Sequence, residues 1–312
     1  MKKIDVISIV AVILAIVLAA FIVPTEFGVT VNVEGKQAAD WVCDLPVKEE
    51  FQTTAAPQTT APTTKPAEVV TQPSEENKAD TEDKKDNSMP ETTEEIIDQY
   101  TLLVDKFKKE KPAYTKKEYQ ALPEEYRNFG GPINTVLNIA SGYMVTEDQA
   151  EELIRQPGAE EILTDVPIHN SEKGCVLTDY DAVEWAKCED MGDGTYKISF
   201  SLKEEVNAEP TPADTLVPPS AHGAVMQPMA FKDIKTEVDN IVGKVPGVSV
   251  NRFELIYREC VFSCVYNPET DEVASITHNI VIDIAAKAKA FTAEIDGTAR
   301  LTNDMFIYDI KW

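Results

Sequence analysis

Positive charge is scarce in this chain: 29 Lys and Arg stand against 54 Asp and Glu among 312 residues, a net charge of −25. Nucleic acids and anionic lipids both select clustered Lys and Arg, so neither is expected as a main partner. The short patterns that mark common chemistries are also missing. There is no Gly-x-Ser-x-Gly or Ser-x-x-Lys nucleophile, no phosphate-cradling glycine loop and no set of Rossmann glycines. His169, His222 and His278 are scattered, with no His-x-x-x-His and no Cys-x-x-Cys, so neither a metal site nor a cofactor is expected. No internal repeat is seen, and the chain is read as a non-enzyme.

What is present is enough apolar matter for a packed core: 43% hydrophobic residues, with 11 Phe, 10 Tyr and 3 Trp. Residues Val6 to Val23 form eighteen uncharged positions behind Lys2 and Lys3, closed by Pro24. As a helix this run is about 27 Å long, close to the roughly 30 Å hydrocarbon layer of a bilayer. The flanking lysines put residues 1–5 in the cytoplasm and all that follows Pro24 outside. The run is longer than a usual signal-peptide core and no small-x-small site follows it, which favours an uncleaved signal anchor over a cleaved leader; either exports the rest. The expected location is the cell membrane, single-pass, with an extracellular C-terminal domain.

Residues 24–51 are a juxtamembrane segment. From Gln52 to Pro73 there are seven Thr and four Pro in twenty-two residues, and from Ser74 to Glu95 nine acids face three Lys. Neither stretch can bury a core, so 52–91 reads as a Thr/Pro-rich and then acidic disordered linker.

At Thr92 the pattern changes. Thr92-Thr93-Glu94-Glu95 offers a capping box, and Ile96, Ile97, Tyr100, Leu103, Val104 and Phe107 recur at helical spacing up to Lys111-Pro112. Further helices are expected from Ile133 to Gly142 and from Phe231 to Val242, the latter stopped by Pro246-Gly247. Thr195 to Leu202 alternates as a half-buried strand, joined through Gly192-Asp193-Gly194 to a strand at Ala182 to Glu189. Four more strands, Arg252–Tyr266, Val273–Ala285, Phe291–Leu301 and Met305–Trp312, complete an antiparallel meander. Residues 92–312 are thus expected to be one α+β domain: a curved antiparallel sheet of about six or seven strands, helices mainly on one face. The Pro-rich loop from Glu209 to Ala224 is long for a compact domain and reads as a lid, a binding edge or a mobile segment.

Five cysteines in an exported chain suggest disulfides. Cys43 lies across the linker from the others and is either free or the bridge of a Cys43-linked dimer. Cys260 and Cys264, four apart on one strand face, are too far apart to bond to each other. Two cross-strand disulfides are therefore expected, joining Cys175 and Cys188 to Cys260 and Cys264 in either pairing, with reduced buried thiols as the alternative. His278 lies on the apolar side of a strand, where it could face Cys260 or Cys264 as a nucleophilic pair or be a hydrogen-bonded core residue.

The order of helix, KPAYTKKEYQALP (Lys111–Pro123), GCVLTDYDAVEWAKCEDMGDGTYKISFSLKEE (Gly174–Glu205) and closing YDIKW resembles membrane-anchored exported proteins of clostridial-type Gram-positive bacteria, which carry a Thr/Pro-rich stalk and a C-terminal α+β domain. The resemblance implies location and architecture and supplies no functional residues. A long helix on a curved antiparallel sheet also looks like the periplasmic lipoprotein-carrier fold, which holds acyl chains in its concavity.

The function expected is a membrane-anchored extracellular binding or interaction module for an apolar small molecule or a cell-envelope partner. Tyr196, Phe200, Phe262, Tyr266, His278 and Ile280, with Ile282, are the candidate ligand-binding residues if the concave face is open; if it is filled, they are core. Two alternatives are a surface hydrolase of wall polymers, invited by acid pairs such as Glu124-Glu125, Glu151-Glu152 and Glu204-Glu205, and a structural component of an envelope complex.

Overall fold

The computed structural model describes residues 88–128, 144–242, 248–290 and 293–312. The anchor at 6–23, the segment at 24–51 with Cys43, nearly all of the linker and the helix expected at Ile133–Gly142 lie outside these residues. Among the described residues, no helix is long and apolar enough to cross a membrane.

The first helix, α1 (Thr93–Glu110), begins where the capping box places it. The Thr92 hydroxyl accepts from the Glu95 N–H at 3.2 Å, and the Glu95 carboxylate accepts from the Thr92 N–H at 3.0 Å. Such a cap contributes about 1 kcal/mol and sets the helix start. Lys111, in the left-handed region, ends it by donating its N–H to the Phe107 carbonyl, and Pro112 cannot continue it. Its apolar stripe, Ile96, Ile97, Tyr100, Leu103, Val104 and Phe107, is fully buried.

Beyond α1 the chain forms β1 (Ala113–Ala121), β2 (Leu153–Arg155), the single turn α2 (Ile162–Asp165), β3 (Val183–Asp190), β4 (Tyr196–Leu202) and β5 (Glu205–Val206). Then follow α3 (Phe231–Val242), β6 (Val248–Tyr257), β7 (Val261–Asn267), β8 (Glu272–Ala290) and β9 (Ala293–Lys311). The strands make one antiparallel nine-stranded sheet with the order β2-β1-β9-β8-β7-β4-β3; β6 pairs with β8 and β5 with β6. The 19-residue β8 and β9 pair from Ile276/Ile307 to Ala290/Ala293 and form its spine.

The class is α+β as expected, but the six or seven strands expected become nine among the described residues. The run expected as one strand at Arg252–Tyr266 is two, β6 and β7, because the chain breaks at Arg258–Cys260, where Glu259 takes a positive φ of 55°. β8 runs past the break and pairs with both. Conversely, in place of the two strands expected at Phe291–Leu301 and Met305–Trp312, the described residues form one, β9 (Ala293–Lys311). Thr302, Asn303 and Asp304 look like a turn but stay paired with β8 and β1, with Asn303 bonded to Glu118 and Asp304 to Asn279. β1, β2 and β5 were not expected.

Direct cross-strand partners share a sheet face. Phe200, Phe262, His278 and Met305 form one such row, and Tyr257, Ile282 and Leu301 another. Tyr100 of α1 packs edge-on against Phe200 (4.9 Å), and Phe231 of α3 stacks on Phe253 (5.9 Å), which pairs with Ala286 on that same face.

Candidate functional site

Where α1 does not cover the sheet, β1, β9 and β8 form the floor of a cavity of about 480 Å³, within the roughly 300–1,000 Å³ typical of small-molecule sites. Each strand places alternate residues there: Lys116, Glu118 and Gln120 from β1, Leu301, Asn303 and Met305 from β9, and His278, Ile280 and Ile282 from β8. One wall runs from Thr164 to His169; the other is Pro210 with Met226–Ala230.

Both walls are tied down. The Lys108 ammonium, fully buried in α1, donates to the carbonyls of Val166 (3.0 Å), Ile168 (2.7 Å) and Lys173 (3.1 Å), fixing the loop after α2. The loop before Met226 is pinned where Glu205 accepts from the His222 N–H (2.9 Å) and Thr211 donates to the Gly223 carbonyl (2.7 Å). A Cβ on Gly223 would lie 2.1 Å from the Glu209 carbonyl oxygen, so only glycine fits there. The Pro-rich segment is therefore a fixed edge of the cavity, built on a 3₁₀ turn at His222–Ala224.

The polar end is a charge network. Lys116 Nζ lies 2.9 Å from Glu118 and 3.8 Å from Asp165; Asp165 also accepts from Arg155 (2.7 Å) and Tyr114 (3.0 Å). Burial pushes the Asp165 carboxyl up, but the Arg155 bond, the Lys116 charge and the Tyr114 hydroxyl together bring it below its ordinary value. Burial also opposes ionisation of Glu118, and Lys116 and Asn303 together outweigh it and bring that carboxyl down as well. His169 is pushed down to about 4 by burial and by Lys116 and Lys108.

Among the described residues, two buried polar atoms of cavity-lining residues have no partner. His278, only 2% exposed, bonds through Nε2 to the Tyr100 hydroxyl (2.8 Å), while Nδ1 is unmet. Burial takes its pKa down to about 3, so the ring is neutral. Asn303 donates to Glu118 (3.0 Å), and its Oδ1 is unmet. Leaving a buried polar atom unpaired costs about 1–3 kcal/mol, and His222 Nε2, away from the cavity, is unmet as well.

The candidate residues chosen from sequence divide in two. Phe200, Phe262 and Tyr266 are core under α1, and Tyr196 packs half-buried against Tyr266. His278, Ile280 and Ile282 line the cavity. His278 faces neither Cys260 nor Cys264: its partner in the sheet is Phe262, so the hydrogen-bonded reading holds and the nucleophilic pair does not. The expected disulfides are not formed, and Cys175, Cys188, Cys260 and Cys264 are free thiols. Cys188 and Cys264 both flank Ile198 from opposite sides, two strand spacings apart, about 9–10 Å, beyond disulfide reach. Cys260 instead lies beside the Val281 backbone.

Lys116, Glu118 and Asn303 were missed. The usable signal was Tyr114-Thr115-Lys116-Lys117-Glu118-Tyr119-Gln120 between Pro112 and Pro123, β-forming residues amid charge that alternate on a strand. Among the described residues, no group of three or more His, Cys, Asp or Glu is gathered as a metal site. Compared with family models, with characterised proteins and with solved structures, the chain finds no match.

Proposed function

We propose that residues 92–312 are a binding module that takes a small ligand of mixed polarity into the cavity on β1, β8 and β9. The supporting observation is a cavity of about 480 Å³ that joins an apolar floor, Ile280, Ile282, Leu301 and Met305, to the charged network of Lys116, Glu118 and Asp165. In this proposal the domain, with its helices to one side of a curved sheet, stands outside the cell on a linker held by the anchor at 6–23.

Hydrolysis of wall polymers is less well supported. A general acid needs a carboxyl whose pKa is raised toward neutrality. Both cavity carboxylates, Glu118 and Asp165, are held down instead, and Glu205 is bonded to His222.

The test uses 1-octanol as a neutral probe with an apolar tail. It is expected to raise the thermal midpoint of the wild-type chain and to leave Ile280→Trp, whose indole fills the floor, unmoved. Native mass spectrometry should show one octanol per chain. No shift and no adduct in the wild type would sink the reading.

A further inference from the structure

The face of the sheet opposite the cavity carries a second hollow, of about 430 Å³, lined by residues of β1, β8 and β9. Direct cross-strand partners share a face. Glu118, Met305 and His278 form a row on the cavity side, and Lys117, Phe306 and Thr277 form the adjacent row on the outer side. Tyr119 and Tyr308 lie two positions along their strands from that outer row and so share its face. The helices α1 and α3 pack on the other face, through Tyr100 and Phe231.

The hollow joins aromatic rings to carboxylates. Tyr119, Phe306 and Tyr308 are partly exposed, and the first two stack with ring centroids 5.7 Å apart. The Tyr308 hydroxyl donates to Glu152 at 2.8 Å and fixes that carboxylate beside the rings. Glu147 lines the hollow as well and is exposed. Among the described residues of the lining, the one cation is Lys117, so two carboxylates against one ammonium leave the hollow net negative. The rings already draw that cation: the Lys117 ammonium lies over Tyr119, 5.9 Å from the ring centroid.

We infer that this hollow is a second binding site, separate from the cavity and independent of the reading proposed for it, which takes a small quaternary ammonium ion. The methylated ammonium rests against Tyr119, Phe306 and Tyr308, and Glu147 and Glu152 answer its charge. An aromatic ring attracts a cation through its quadrupole, and an ammonium without N–H groups leaves water most readily. The phenols feel the same field that would hold it. Burial, Asp304 and Glu147 raise Tyr119, and the bond to Glu152 raises Tyr308. An anion would meet both carboxylates. A neutral sugar can use the same rings and the hydroxyls of Ser275 and Thr277, but is indifferent to the charge.

The test titrates choline into the full chain at pH 7, beside its neutral carbon isostere 3,3-dimethyl-1-butanol, phosphocholine and methyl glucoside. Choline is expected to bind roughly fivefold or more tighter than each of the others. Phe306→Leu should weaken choline about fivefold. Glu147→Gln, at an exposed position, should weaken it about threefold without changing the isostere, and decides the matter should the Phe306 variant unfold. Lys117→Gln, which clears the Tyr119 ring and removes a like charge, should tighten it. No choline binding, choline no tighter than its isostere, or choline binding unchanged in the Phe306 and Glu147 variants would each overturn the inference. Tighter binding of the glucoside would make the hollow a sugar site, and tighter binding of phosphocholine a headgroup site; either overturns the assignment to a free cation.

Discussion

His278 is held neutral inside the protein chiefly by burial, opposed by Glu118 and helped by Lys116, and this gives stability a histidine signature in acid. The unfolded ring takes up its proton as pH falls through about 6.5, the folded ring only near 3. Between those values the unfolded chain binds more protons, so the contribution of His278 is complete above pH 6.5 and is lost as pH falls. The slope is up to ~1.4 kcal/mol per pH unit. His169, lowered to about 4, acts in the same direction. Asp165 and Glu118, held below their ordinary values, lose their contributions only at lower pH. Urea midpoints measured from pH 7 to 4.5 should therefore fall in the wild type and fall less in His278→Gln. Identical slopes would mean that His278 is not buried neutral.

At the scale of the element, α1 both packs the core and holds the wall of the cavity through one residue. Burial pushes Lys108 down to about 7, partly countered by Asp105, while three carbonyls take all three of its N–H donors. Lys108→Met would leave those carbonyls unmet and is expected to cost at least ~2 kcal/mol. Amide exchange at 166–173 should rise more than in β8. Unchanged exchange there would show that the lysine does not hold the wall. Elements were legible where the signal is local: the Thr92 cap, the α3 stripe and the glycine turn before β4 each depend on residues a few positions apart. β1 was not legible, because Lys116 and Glu118 look like solvent-facing charge until Asp165 and Asn303 meet them.

For the whole molecule, the absence of disulfides among residues 175–264 means that this region is held by its core. Reductant should leave the unfolding midpoint unchanged; a fall would show that bridges form in solution. Burial raises the thiols of Cys175 and Cys260 to about 11 and takes Cys264 higher still. Among the four cysteines from 175 to 264, maleimide labelling of the native chain, read by peptide mass, should reach half-buried Cys188 first and the other three only as the domain opens.

The sequence by itself determined the composition classes, the caps, the helices α1 and α3, the β3–β4 hairpin and which strand residues alternate. Only the tertiary structure decided what covers each face. Tyr100 and His278 are 178 positions apart, and Glu118 and Asn303 are 185 apart. Periodicity assigns a side chain to a face. Whether that face meets a helix, as Phe262 does, or a cavity, as Ile280 does, depends on contacts no local pattern encodes.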